Sequence, residues 1–405
     1  MITYRTRTTF GIASLIVREA IKSFLRNNNF EMSAALTFYG FFALIPMLFF
    51  VIYLLSNVAV SSQLAIQGIE NLTTHMFPQL SNIFMKEVFF LTGYKKMWGI
   101  VGFIIVFLAV IPLTDTLRTA FRQTFRAQQE TSFIRAQIFN SITVFIMLFL
   151  FILLVCAEIL YSIISNAFFS EKPYFLIISG FSASLLVATL FLSAFYRTFS
   201  PRRIKKVHLF VSSLIIAVLL ILTRYLFALF LSINPQYGYV FGSLKMIFVT
   251  FIWIYCSFLI IIFGAELIVN AGKKDALLLK GLFLENSRQS FRTLMNKFIT
   301  TYQEEDVIFR EGESGDNMFY ILNGSVTVSR KGQTISIIEK GGYFGEMSML
   351  LNTHRTATAI VMESDTQLVS ISQNNFDVIL SENPNIVLSI LKEMTSRLKK
   401  TDENI

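Results

Sequence analysis

Long apolar runs alternate with short basic connectors over the first two thirds of the chain; short alternating strands punctuated by glycine fill the last third. A membrane-crossing helix needs about 20 largely apolar residues. Six windows meet that length, at roughly 34–59, 98–117, 138–164, 174–196, 209–232 and 244–270. Ahead of them, residues 1–32 form a basic segment in which Arg18, Lys22 and Arg26 recur at helical spacing among Leu15, Ile21 and Phe24. That pattern predicts a cytoplasmic amphipathic helix and not a secretory leader. The loop at about 60–96 carries apolar stretches such as Ile83, Phe84 and Val88–Phe90, which predict short helices at the outer interface, with a re-entrant segment as the alternative.

After 270 the pattern changes. A basic connector, 271–283, carries Lys273, Lys274 and Lys280, suited to lipid headgroups. A helix is expected over 286–302. Period-two runs follow at 306–310, 317–322, 325–329, 334–338, 358–363 and 367–372, with Gly312, Gly315, Gly324, Gly332 and Gly341 at the turns. Strands this short and this regular predict an antiparallel β-roll or jelly roll. Helices near 374–381 and 385–400 close the chain, the second with Val387, Ile390, Leu391, Met394 and Leu398 along one face. The expected fold class is therefore an all-α six-helix transmembrane bundle (33–270) followed by an α+β domain (284–405).

Composition sharpens this division. The 405 residues are 54% hydrophobic and 15% charged, against about 25% charged in soluble domains. Residues 1–282 hold 23 Lys and Arg against 10 Asp and Glu, whereas residues 283–405 hold 12 against 16. The basic part is the apolar part, so the charge fits a membrane surface and no nucleic-acid partner is expected. Lys and Arg crowd the N-terminal arm and the second and fourth loops, which places both termini in the cytoplasm. Cys156 and Cys256 both lie in apolar runs and are expected to pack.

The densest chemistry lies in GGYFGEMSMLLNTHRTATA, residues 341–359. A glycine turn presents backbone N–H groups to a phosphate, a guanidinium pairs with it through parallel hydrogen bonds, and a carboxylate accepts from a sugar hydroxyl. Gly345, Glu346 and Arg355 supply the three parts, which together describe a pocket for a small sugar phosphate. In this stretch, and from the leading helix through the closing pair, residues 284–400 resemble a cyclic nucleotide-binding domain. The resemblance implies that Gly345 and the backbone around Met347 and Ser348 face the cyclic phosphate. It further implies that Glu346 accepts from the ribose 2′-hydroxyl, that Arg355 pairs with the phosphate, and that Thr356 and Ala357 add phosphate contacts. Where the family commonly has proline before the arginine, this chain has His354. Val387, Leu391 and Met394 would lie over the base. The resemblance implies cyclic AMP or cyclic GMP as a regulatory ligand and no other cofactor.

The membrane part invites comparison with cyclic nucleotide-gated channels. Yet 174–196 has no arginine ladder, and 233–243 is too short for a pore helix and filter. The stretches SAALTFYGFFALIPML (33–48), YRTFSPRR (196–203) and YGYVFGSLKMIFVTFIWIYCSFLIIIFGAEL (237–267) instead resemble the YihY/BrkB family of bacterial inner-membrane proteins, over roughly 15–275. For that family transport has been suggested, and members once carried the label ribonuclease BN. Glu158 and Arg224 are ionisable residues within spans, read either as a structural ion pair or as the lining of a polar path. Glu266, near a span end, is expected to be reached by water. No catalytic or metal-binding set is expected, since His75, His208 and His354 are the only histidines and lie far apart. Two functions remain open: a transport or permeation protein controlled by cyclic nucleotide, or a membrane-anchored sensor or scaffold. Both are compatible with homo-oligomers and with the bacterial inner membrane.

Overall fold

The computed structural model describes residues 2–58, 95–127, 173–201, 204–233, 245–283 and 298–382, with scattered positions in 142–153 and 386–395. The chain divides into two compact units, Arg18–Gly272 and Lys273–Ile405, the latter together with Met1–Val17. Helix α1 (Ile2–Arg26) is followed by α2 (Asn29–Val58), α3 (Lys95–Phe125), α4 (Pro173–Phe199), α5 (Lys206–Ile233) and α6 (Lys245–Gly272). Five of the six apolar windows fall on α2–α6; most of the window at 138–164, and the loop at 60–94, lie outside the described residues. At about 1.5 Å per residue, 28 residues extend roughly 42 Å, longer than a ~30 Å hydrocarbon core. By length and composition, Phe181–Phe199, Lys206–Phe230 and Ile247–Gly272 can each cross a membrane. Their outward faces carry Leu190, Leu222, Leu226 and Phe248, all exposed, as lipid-facing side chains must be.

Helix α6 is the packing centre, in contact with α2, α3 and α5. Two glycines allow the close approach. Gly40 on α2 sits under the ring of Phe258, and Gly264 on α6 lies against Tyr196 of α4 and Ile216 of α5. Tyr196 is fully buried and donates its hydroxyl to Ile261 O at 2.8 Å. A methyl at position 264 would come within 2.6 Å of Ile216 Cγ1 and collide with the Tyr196 hydroxyl. Gly264→Ala is therefore expected to destabilise this unit by about 1–3 kcal/mol, read as a lowered Tm of the detergent-solubilised protein.

Helices α1 and α2 meet at a sharp turn made possible by Asn28, whose φ of 50° asparagine tolerates. The turn is fastened from two sides. Gln123 Nε2 at the end of α3 donates to Asn27 O at 2.9 Å. Asn27 and Asn29 both donate side-chain amides to Glu266 Oε1, at 2.7 and 3.0 Å. Glu266 is only 1% exposed, so the expectation of a water-reached carboxylate is corrected: two asparagines from distant sequence cover it. Arg224 is half-buried on α5, its Cζ 5.9 Å from the ring of its neighbour Tyr225. Glu158, the other half of the expected pair, lies outside the described residues.

Of the connector expected at 271–283, Lys274–Phe283 is a helix, α7. Its Ala276, Leu279 and Leu282 enter a core with Met318, Tyr343, Met349, Phe376 and Ile379. The lysines of this segment mask a run of core-seeking leucines. The helix expected over 286–302 lies outside the described residues as far as 297, and its last four residues are instead strand β1 (Ile299–Tyr302). Two threonines flanked by Ile and Tyr suit a pleated strand, and β1 pairs with β8 from Ile299↔Val369 to Tyr302↔Thr366.

The remaining strands are β2 (Val307–Phe309), β3 (Asn317–Asn323), β4 (Ser325–Arg330), β5 (Gln333–Glu339), β6 (Tyr343–Phe344), β7 (Thr358–Val361) and β8 (Thr366–Ser372). They form two antiparallel four-stranded sheets, ordered β1-β8-β3-β6 and β2-β7-β4-β5. Lys331 (φ 49°) and Gly332 (φ 82°) make the two-residue hairpin joining β4 to β5, the backbone hand that matches strand twist. Phe309, Ile321, Val326, Phe344, Ala359 and Leu368 fill the space between sheets. Helix α8 (Glu346–Leu351) follows β6 after one glycine, and α9 (Gln373–Glu382) follows β8 directly.

Candidate functional site

The short strand β6 and the helix α8 are joined at Gly345, which sits at φ 76° as the residue capping the helix. A side chain at that position would be strained, and its Cβ would fall 2.7 Å from Arg355 Nη1. Glycine therefore turns the chain and lets the guanidinium approach the backbone. Glu346 opens α8 and is 8% exposed; Arg355, on the return to β7, is 6% exposed. Both line one cavity of about 430 Å³, with Gly345, Met347, Ser348, Thr356 and Ala357. The seven residues expected to contact ligand are thus brought together by the fold. Apolar walls come from Phe309, Val328, Ile335, Ile338 and Phe344. Val387, Leu391 and Met394, expected over the base, lie outside the described residues.

The guanidinium of Arg355 is the best-anchored group in the cavity. Nη1 donates to Gly345 O at 2.8 Å and to Ser348 Oγ at 2.7 Å, and Nη2 donates to Asn317 O at 2.8 Å. Its Cζ lies 4.2 Å from the centre of the Phe309 ring, a cation–π contact. The backbone is fixed as well: Arg355 N donates to Glu313 O at 2.7 Å and Gly312 N donates to Arg355 O at 2.8 Å. Buried Nε has no protein acceptor. Burial pushes this guanidinium below its ordinary pKa, while the carboxylates of Asp316, Glu313 and Glu346 oppose that shift. Arginine stays cationic at neutral pH in any case.

Sequence reasoning missed the residues that hold Arg355 in place. Gly315 is one: its missing Cβ leaves the room in which the guanidinium lies. Phe309 and Asn317 are the others, supplied by β2 and the start of β3. The alternation of hydrophobics marks Phe309 as inward-facing, but nothing in linear spacing puts it under residue 355. Ser348 also takes a role beyond its backbone, as an acceptor for the arginine. Gly315→Ala is expected to push the guanidinium out of position and weaken anion capture about tenfold or more, read by ligand titration with thermal unfolding as the folding control.

A buried arginine beside a glycine-capped helix in an antiparallel roll, on a chain whose described residues include three helices long and apolar enough to cross a membrane, fits a membrane-associated protein with a cyclic nucleotide-binding domain. The family model for the cyclic nucleotide-binding domain matches residues 299–383. The model described as virulence factor BrkB matches residues 20–278, well over half of the chain. The protein belongs to the BrkB family. Neither model is that of a catalytic domain.

Among curated proteins, the chain is 32% identical over 122 residues to the potassium/sodium hyperpolarization-activated cyclic nucleotide-gated channel 4 of Oryctolagus cuniculus, covering 29% of this chain and 10% of that one. It is 33% identical over 122 residues to channel 2 of Mus musculus, covering 29% and 14%. A cGMP-dependent protein kinase of Eimeria tenella is 34% identical over 82 residues, covering 20% and 8%. The chain thus spans at most about a seventh of the length of these relatives. Similar solved structures include the Thermus thermophilus catabolite activator protein (22% identity, 30% of this chain and 61% of that one, TM-score 0.26). A cyclic nucleotide-binding domain from Methylobacillus flagellatus is 21% identical, over 33% of this chain and 84% of that one, with a TM-score of 0.26.

Proposed function

We propose that this is a multi-pass inner-membrane protein, with both termini cytoplasmic, that moves a solute across the bilayer under the control of cyclic AMP or cyclic GMP. The observation that carries the nucleotide half is the placement of Arg355 and Glu346, each nearly buried, in the wall of one cavity of about 430 Å³. That volume lies in the range of small-molecule pockets, and the two groups have opposite tasks. Arg355 pairs with the cyclic phosphate; Glu346 accepts from the ribose 2′-hydroxyl. Backbone N–H groups at Gly345, Met347 and Ser348 and the Thr356–Ala357 turn complete the phosphate cradle. The apolar walls Val328, Ile335 and Ile338 receive the base, and nucleotide binding shifts the population of conformations of the domain.

The transport half rests on the family and on the helices long and apolar enough to cross a membrane. The test has two stages. Calorimetric titration of the full chain in nanodiscs should show saturable binding of one or both nucleotides; no heat with either at millimolar concentration would end the proposal. Solute flux into proteoliposomes should then change on adding the nucleotide that binds. Full biological function from the nucleotide domain on an unrelated anchor would instead make the spans a mere tether, as in the sensor or scaffold reading.

A further inference from the structure

Helix α1 carries a surface that no function discussed above uses. Its buried side, Ala20, Ser23 and Phe24, packs into the helical unit, with the Phe24 ring 6.1 Å from Phe263 of α6. Ile21 and Leu25, 48 and 58% exposed, form a line along the helix that Val17 extends backwards, and Phe30 at the start of α2 is exposed beyond the turn. Arg18, Lys22 and Arg26 each follow one residue after Val17, Ile21 and Leu25. A step of one residue is a turn of about 100°, so an exposed apolar stripe lies directly beside an exposed basic stripe. Such a pairing is costly in water and is the signature of a helix lying in a membrane interface.

The depth of α1 is set by what it touches. Phe263 lies inside the apolar segment Ile247–Gly272, nine residues or about 14 Å from its end. One turn on, Asn27 holds Glu266. The last turns of α1 are therefore level with the inner end of a membrane-crossing helix. Exposed Phe38 and Phe42 carry the same apolar surface onward along α2. Lys22 has Glu19 as an ion-pair neighbour at 3.8 Å, and the stretch 18–26 still holds three basic groups against one acidic.

We infer that the C-terminal half of α1 is an interfacial anchor that binds anionic lipid. Ile21, Leu25 and Phe30 enter the acyl boundary, while Arg18, Lys22 and Arg26 extend to the headgroup phosphates of the inner leaflet. The occupant is the bilayer itself, favoured by continuity with the lipid-facing side of α2 and by the sign of the adjoining charge.

The experiment uses the full chain, with Cys156→Ala and Cys256→Ala, in nanodiscs of zwitterionic lipid alone or with one third anionic phosphatidylglycerol. Nitroxide labels are placed singly at Ile21→Cys, Leu25→Cys and Lys22→Cys. Collision rates with oxygen relative to a water-soluble nickel complex should be severalfold higher at 21 and 25 than at 22. The preference of the protein's boundary for spin-labelled anionic over zwitterionic lipid should fall about tenfold in the Arg18→Gln/Lys22→Gln/Arg26→Gln variant and in high salt. Water-like accessibility at 21 and 25 would overturn the inference. So would spin–spin broadening at those sites, which means a second copy covers the stripe, or a lipid preference untouched by the triple variant. The labels leave the basic residues at 18 and 26 intact, so misfolding of the triple variant does not remove the test.

Discussion

Replacing Arg355 by alanine is expected to weaken cyclic nucleotide binding by about 2–5 kcal/mol, because it leaves a buried anion facing no cation. The geometry makes the loss hard to repair. Three acceptors and the face of Phe309 hold the guanidinium in one orientation, and among the described residues no other basic side chain lines the cavity. Arg355→Lys keeps the charge but offers a point in place of a fork, so its affinity should fall between wild type and alanine. Glu346→Gln removes an acceptor without removing the phosphate partner and should cost less than either. Calorimetric titration of the three variants in the full chain gives the order. Equal affinity of wild type and Arg355→Ala would show that the phosphate is held elsewhere. Because Arg355 also braces Asn317 and Gly345, thermal unfolding of each variant separates a binding defect from a folding one.

The second large effect belongs to the helical unit. Glu266→Leu is expected to destabilise it by about 2–4 kcal/mol, since the amides of buried Asn29 and half-buried Asn27 lose their common acceptor. Each buried orphan donor costs about 1–3 kcal/mol. Glu266→Gln keeps an acceptor oxygen at the same position and should recover much of the loss. The measurement is the unfolding midpoint in detergent, with both variants beside wild type. A leucine variant as stable as the parent would mean that the asparagines turn to other partners at little cost.

The candidate site was largely legible in the sequence because its chemistry is local. Gly345, Glu346 and Arg355 fall within eleven residues, and the short helix and loop between them bring all three to one cavity. What supports them was not legible. Gly315, Asn317 and Phe309 meet Arg355 through strand order, β2 lying beside β7 in one sheet and β3 beside β6 in the other, and no periodicity encodes that neighbourhood. The burial of Glu266 was hidden for the same reason: its donors stand 239 and 237 positions away, so a residue near a helix end looked destined for water. Strand β1 was obscured by the helical expectation running into it. Ile299–Tyr302 is too short to show a period against that background, and only pairing with β8 makes it a strand. The leucines of α7 were read past because three lysines and an aspartate surround them.

The grip on α6 has a mechanical outcome for any change of state in the bundle. Phe258 fills the hollow over Gly40, Tyr196 is bonded to Ile261 O, and the α1–α2 turn is pinned to Glu266. A rod clasped at three heights on different sides can neither slide nor spin alone, since well-packed contacts switch between discrete arrangements and do not stretch. Any displacement of α6 must therefore carry α2, the end of α1 and the Tyr196 turn of α4 with it as one block, and parting will occur at seams that lack such clasps.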